Sequence, residues 1–290
     1  MLRDVCVNPA CYRWGTSLRE FVEVSRAAGF EHVEVSIQQA ESLAEELGGT
    51  AALTRWRQRA GVEVAQFSGL LPAGPVLPAP LLVDEPQFRA AVASVHERLE
   101  VAQALGCQRA AVVVNPRTHL PPATAAEIAA RRLDVLAAAA GEHGVRLAVE
   151  YIGVTRGLAP ELDGPHPFVA SLRELDELLA RCGRPNVGIL LDLCHLYASG
   201  ESLGHARACA RPVEFVQVSD VPSGTAPATM TDSLRCVPGS GVVDFDAVMR
   251  DLDAIGYTGP VSVELFSPEL WALEPGRAAD VLSRSRSVLR

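Results

Sequence analysis

Lysine is missing from this sequence: among its 290 residues, all 26 basic side chains are arginine. Schiff-base aldolase chemistry, pyridoxal-phosphate chemistry and P-loop nucleotide binding each need a lysine amine, so all three are excluded. Positive charge is scarce overall, with a formal net charge of -9, a pI near 5.3 and no Lys/Arg block. Nucleic acid is therefore not an expected partner, because neutralising phosphates needs a basic surface. No apolar run reaches membrane-spanning length, and Met1-Leu2-Arg3-Asp4-Val5 lacks the basic-then-apolar-then-small order of a secretory signal. A membrane partner is not expected either. The 7 cysteines are scattered, odd in number and form no C-x-x-C pair. That is the usage of a reduced, cytoplasmic protein rather than of a disulfide framework or a zinc site.

What is present is apolar and periodic. Hydrophobic residues make up 48% and mean hydropathy is +0.15, enough for a large core. Short β-branched runs alternate with longer Ala/Leu/Glu/Arg-rich runs, and no linker divides the chain, so residues 1–290 read as a single domain. Strands are expected over Leu2–Asn8, His32–Ile37, Val62–Phe67, Arg109–Val114, Val145–Glu150, Val187–Asp192, Val213–Val218 and Val261–Leu265. Helices are expected from Ser17 to Ala28, over Glu41–Leu47, Ala51–Ala60, Gln87–Leu105, Ala123–His143, Pro167–Arg181, Glu201–Ala210, Asp244–Ile255 and Gly276–Leu289. A Pro-rich stretch from Gly69 to Pro86 (Pro72, Pro75, Pro78, Pro80) suits either a wall over a site or an irregular surface connection. About eight strand-helix units of this total size predict a closed (β/α)8 TIM barrel. A doubly wound open sheet is the competitor, but no G-x-G-x-x-G follows the first strand.

Four consecutive strand-like runs finish on polar residues: Glu150, Asp192, Gln217 and Glu264. In a parallel barrel these ends and the loops after them form the active face. Side chains alternate along a strand, so each end sits above Ala148, Leu190, Phe215 or Ser262 on the same face. One such carboxylate is ordinarily a solvated strand end. Three converging without a cation would repel and raise one another's pKa. A divalent ion resolves that repulsion, and three carboxylates with an amide oxygen suit Mn2+ or Mg2+, with Zn2+ or Co2+ as alternatives.

The chain resembles the sugar phosphate isomerase/epimerase superfamily, the xylose-isomerase-like TIM barrels that include ketose 3-epimerases, inosose dehydratases and 3-dehydroshikimate dehydratases. The resemblance is carried by Ala27-Ala28-Gly29-Phe30-Glu31-His32-Val33-Glu34, Leu147-Ala148-Val149-Glu150 and Leu191-Asp192-Leu193-Cys194-His195. It continues in Val216-Gln217-Val218-Ser219-Asp220, in the run from Arg235 to Gly241 and in the run from Gly256 to Glu264. The resemblance implies that Glu150, Asp192, Gln217 and Glu264 are metal ligands and that His195 and Arg235 contact substrate. Many members have histidine where this chain has Gln217, whereas the dehydroshikimate-dehydratase branch uses glutamine. Ketose 3-epimerases tend to carry a glutamate near the position of Arg156, and arginine there favours an anionic substrate group. The run from Glu264 to Trp271 looks more like the general isomerase members.

The chemistry these parts suggest is proton abstraction beside the carbonyl of a small polyhydroxylated, sugar-like ketone, with Glu150 and Glu264 as acid and base. His195 is expected to orient a hydroxyl or shuttle a proton, and Arg235 and Arg156 to hold oxygens. Dehydration of a cyclic hydroxyketone is the alternative reaction, and a catalytically dead ligand-binding barrel is the non-enzymatic one. Pro238-Gly239-Ser240-Gly241 suits either a phosphate cradle or a simple turn. Trp271 and Trp14 suit either an apolar wall for a sugar ring or core packing, and Cys194 suits packing as a small apolar residue. His119 and His166 fall in loops that could line the pocket. The Ala-rich segment from Ala123 to Ala140 leaves room for a homo-oligomer.

Overall fold

The structure is a computed structural model and describes residues 3–13, 15–72 and 79–289. Leu2 of the expected first strand, Trp14, and Pro75 and Pro78 of the Pro-rich stretch lie outside the described residues. Eight strands close a parallel barrel: β1 (Val5–Val7), β2 (His32–Ser36), β3 (Glu63–Ser68), β4 (Arg109–Val114), β5 (Arg146–Tyr151), β6 (Val187–Asp192), β7 (Val213–Val218) and β8 (Val261–Val263). The ring is completed where β8 pairs with β1, Val5 opposite Val261 and Val7 opposite Val263. The expected (β/α)8 architecture is therefore the one found. No helix among the described residues is long and apolar enough to cross a membrane.

The helices are α1 (Leu18–Ala27), α2 (Ile37–Leu47), α3 (Thr50–Ala60), α4 (Glu85–Ala93), α5 (Val95–Ala104), α6 (Pro122–Glu142), α7 (Leu172–Leu179), α8 (Leu193–Ala198), α9 (Phe245–Ala254), α10 (Pro268–Trp271) and α11 (Pro275–Val288). Local chemistry sets their ends. Ser17 caps α1, its hydroxyl accepting from the Glu20 amide, and Asp244 caps α9 through the Ala247 amide at 2.9 Å. Their apolar stripes face the barrel: Leu18, Phe21 and Val22 of α1 are buried, as are Leu172, Leu175, Leu178 and Leu179 of α7. The buried alanines of α6, among them Ala125, Ala129, Ala137 and Ala140, are covered by this chain's own core.

Several expected boundaries move. The helix expected over Gln87–Leu105 breaks at Ser94, whose backbone leaves the helical region while its hydroxyl accepts from buried Arg98 at 2.8 Å. Arg98 also donates to the Leu70 and Ala91 carbonyls, so it anchors the break. Of Pro167–Arg181 only Leu172–Leu179 is helical, because His166–Pro167 instead pairs antiparallel with Arg117–Thr118 and Ser171 caps the helix. Glu201–Ala210 contains a 3-10 turn, Leu203–Ala208. The second helix begins at Ile37, directly after β2, rather than at Glu41.

Inside the barrel the strand alternation sorts side chains into two tiers. Cys6, Ala65, Ala111, Ala148, Leu190 and Phe215 pack together as an apolar floor. Above it, toward the C-terminal ends of the strands, the inward side chains turn polar.

Candidate active site

All four expected ligands reach that upper tier. Glu150 lies on the penultimate residue of β5, Asp192 ends β6, Gln217 is penultimate on β7, and Glu264 follows β8 with its amide still bonded to the Val218 carbonyl at 3.0 Å. Each is at most 8% exposed. Arg235 binds Asp192 Oδ2 and Glu264 Oε2 through one nitrogen, Nη1, the second at 3.0 Å. Asp192 and Glu264 thus flank a single positive atom. His195 Nε2 stands 3.6 Å from Glu150 Oε1 and 3.4 Å from Arg235 Nη2. Glu150, Asp192 and His195 offer ligand atoms all within 4.8 Å of one another.

His195 reaches this place because Asp192 starts a helix. Its Oδ1 accepts from the Cys194 amide at 2.7 Å and caps α8, a helix absent from the sequence-based expectation. Gly153 lets the loop after β5 press against that turn: a Cβ there would lie 2.2 Å from the His195 carbonyl oxygen. Cys194 is fully buried among Ile152, Val154, Val221 and Met230, a packing residue as anticipated.

Four polar residues join the cluster that sequence reasoning left without a role. Glu34 of β2 is 2% exposed and accepts from Gln66 Nε2 at 2.8 Å and from Gln217 Nε2 at 3.2 Å on both oxygens. Asn8 donates to Glu264 Oε1 at 2.9 Å. Asp232 grips Arg235, accepting from Nη2 at 2.7 Å and Nε at 3.1 Å. A signal for Glu34 was available: it is a charge in the middle of an apolar strand, which burial makes costly without partners. Asp232 gave none, since it lies in a loop and meets Arg235 through a 3-10 turn, Asp232–Leu234.

Carboxylates outnumber cations here, and their proton affinities show it. Burial pushes Glu150 well above the ordinary carboxylate range, and the Asp192 charge adds to that. Burial also raises Glu264 well above that range, although Arg235 pulls against it. Glu34 is raised by burial and partly relieved by its hydrogen bonds. Burial lowers His195, favouring the neutral ring. For Arg235 burial opposes the charge, but Asp192 and the other acids around it outweigh burial and hold the guanidinium protonated.

The donors fit a divalent ion. Gln217 Oε1 is buried with no hydrogen-bond partner while its Nε2 is committed to Glu34 and Glu264. An orphaned amide oxygen beside buried acids is a hard-oxygen set that needs positive charge. The neighbouring His195 ring widens the choice toward Zn2+.

Other expected residues lie elsewhere or are already engaged. Arg156 is exposed on the loop after β5 and makes no ion pair or hydrogen bond among the described residues. Arg235, expected to hold substrate, is 4% exposed and bonded to three acids. Trp271 is half-buried, its indole N–H donating to the Ala10 carbonyl at 2.7 Å. His119 and His166 are exposed. The phosphate cradle is overturned: the Gly239, Gly241 and Val243 amides all donate to the Asp220 carboxylate at 2.8–2.9 Å, so this run is a turn built on its own anion. Within the Pro-rich stretch, Leu81 and Leu82 are tied to Val113 and Asn115 at the end of β4, and Arg132 of α6 binds the Leu81 and Val83 carbonyls.

The sequence profile of the xylose isomerase-like TIM barrel family matches residues 22–288. The chain belongs to that family. Among characterised relatives, the inosose isomerase of Bacillus velezensis is 24% identical over 278 residues, covering 93% of this chain and 90% of the relative. The ketose 3-epimerase of Arthrobacter globiformis is 26% identical over 264 residues, 90% of this chain and 81% of the relative. Among solved structures, a xylose isomerase domain protein from Alicyclobacillus acidocaldarius superposes with a TM-score of 0.83 at 27% identity, covering 99% of this chain and 98% of that one. The IolI protein, solved with a bound zinc atom, superposes with a TM-score of 0.80 at 22% identity over 99% of this chain and 98% of its own. For this xylose isomerase-like barrel, the polar tier lies where the fold places active sites, at the C-terminal strand ends.

Proposed function

We propose that the chain is an isomerase or epimerase that moves a proton at the carbon beside the carbonyl of a small polyhydroxylated ketone. The observation that carries this reading is the pair Glu150 and Glu264, two buried carboxyls on β5 and after β8 that meet His195 and Arg235 at the C-terminal end of the barrel. A buried carboxylate can take a proton from carbon and, once protonated, return one. If one acid removes the proton and the other delivers it to the opposite face, the product is the epimer; delivery to the neighbouring carbon gives the isomer. His195, held neutral, is placed beside Glu150 to accept or donate a hydrogen bond to a substrate hydroxyl. Arg235 and Asp192 fix the far side of the cluster through a buried ion pair.

Glu150, Asp192, Gln217 and Glu264 are the residues that would hold a divalent ion, Mn2+ or Mg2+ by their oxygen chemistry and Zn2+ or Co2+ with His195 beside them. When bound, such an ion supplies a Lewis acid for the substrate carbonyl. The names of the inosose isomerase and ketose epimerase relatives support a sugar-like ketone as substrate, and the zinc in the IolI structure supports a metal. In this reading the run from Pro238 to Gly241 holds no substrate phosphate, because its Gly239 and Gly241 N–H groups are spent on Asp220.

The test is proton NMR in D2O with metal-loaded protein and a panel of ketoses and inososes. Solvent deuterium entering at the carbon beside the carbonyl is the expected result. No exchange with any member, or loss of water to an ultraviolet-absorbing enone, would replace this reading, the second outcome with the dehydratase.

A further inference from the structure

We infer that Glu34 is a positioning residue: its carboxylate, itself held by Gln66, engages the donor end of the Gln217 amide, so that the amide oxygen is left unpartnered as a metal ligand. The inference rests on the metal-dependent reading above.

A glutamine amide has a donor end and an acceptor end, and turning it over exchanges them. Around Gln217 Nε2 stand three acceptors, Glu34 Oε1 and Oε2 at 3.2 Å and Glu264 Oε1 at 3.1 Å. With Glu34 and Glu264 ionised, as a bound cation requires, an amide oxygen turned into that position would face three carboxylate oxygens with no hydrogen between them. The network therefore admits one orientation, and it leaves Oε1 buried without a partner. Glu34 cannot swing away, because Gln66 Nε2 holds its Oε2 at 2.8 Å and the two residues face each other in register across β2 and β3. That register is set by an irregularity between Val33 and Glu34. A buried acid in the middle of a strand is a poor choice for stability alone. It makes sense as the group that selects which end of Gln217 is offered. Outer partners that orient a ligand in this way commonly set metal affinity as strongly as a ligand does.

The test is calorimetric titration of Mn2+ into chelator-stripped protein, with thermal unfolding of each variant alongside. Glu34→Gln is expected to weaken Mn2+ binding by about 10–100-fold while unfolding cooperatively, since the new amide can present either end to Gln217. Combining Glu34→Gln with Gln217→Glu is expected to restore binding: a carboxylate at 217 offers two equivalent oxygens, and the amide at 34 donates to it. A merely structural Glu34 would shift unfolding without this loss and rescue. Unchanged affinity in Glu34→Gln, or loss that the double variant does not recover, overturns the positioning role. If Glu34→Gln does not fold, Gln66→Met removes only the support of Glu34; a several-fold loss of affinity is then expected and an unchanged one overturns the inference. Wild-type protein that takes up no Mn2+ sinks the metal reading itself, a result distinguishable from the others.

Discussion

The floor and the rim of the barrel interior are built by the same strands and obey opposite rules. In the floor, Cys6, Ala65, Ala111, Ala148, Leu190 and Phe215 leave no polar side chain among them. In the rim, a few residues further along, Glu34, Glu150, Asp192 and Glu264 are buried almost as deeply. Burial of the floor removes apolar surface from water and stabilises the fold. Burial of the rim concentrates acids whose charges oppose one another, relieved by Arg235 and by amide donors from Asn8, Gln66 and Gln217. A two-residue step along one strand, Ala148 to Glu150 or Leu190 to Asp192, passes from the apolar floor to the acidic rim. If the rim does the proposed chemistry, stability and function should be separable in this molecule, because they would occupy different tiers.

That separation can be broken or sharpened by experiment. The largest effect is expected from Glu264→Gln in the rim: deuterium exchange into substrate should fall by about 10²–10⁴-fold, while the melting temperature holds or rises because a buried acid is gone. Undiminished exchange would remove Glu264 from the chemistry. Phe215→Ala in the floor should do the reverse, costing about 3–5 kcal/mol of stability in denaturant titrations with exchange per folded molecule unchanged.

The pH response should report the rim alone. Glu34, Glu150 and Glu264 bind protons more tightly folded than unfolded, so their contribution to stability falls as pH rises above the ordinary carboxylate value of 4.5. His195 acts in the opposite sense, its contribution being complete above 6.5 and lost as pH falls below that value. Three carboxylates oppose one histidine, so the melting temperature of chelator-treated protein should decline as pH rises above 4.5, by an amount on the order of a few degrees, and less steeply in Glu150→Gln. A flat profile would mean that the acids are not strained. The smallest effect is expected at the exposed Arg156: Arg156→Ala should change kcat/KM by less than about twofold, since a solvent-exposed contact is worth little. A loss of tenfold or more would bring that loop into the site.

The sequence read alone carried a good part of this. Alternation of β-branched and helix-forming runs is a local property of the chain, so the barrel class, the strands from Arg109–Val114 onward and the inward facing of Ala148, Leu190 and Phe215 were legible from it. So was the polarity of four strand ends, because a barrel sends every C-terminal end to one face. The break at Ser94, the helix begun by Asp192 and the ribbon at His166–Pro167 were not, since each depends on a partner distant in the chain or on a side chain's choice of hydrogen bond.

What the sequence determined, then, was a barrel with an acidic face. Which acids share which partners was decided only in three dimensions. Gln217 and Glu34 are 183 positions apart, and Asn8 and Glu264 are 256 apart. Closing the ring brings them within hydrogen-bond reach, and a carboxylate's proton affinity depends on the neighbours that closure supplies.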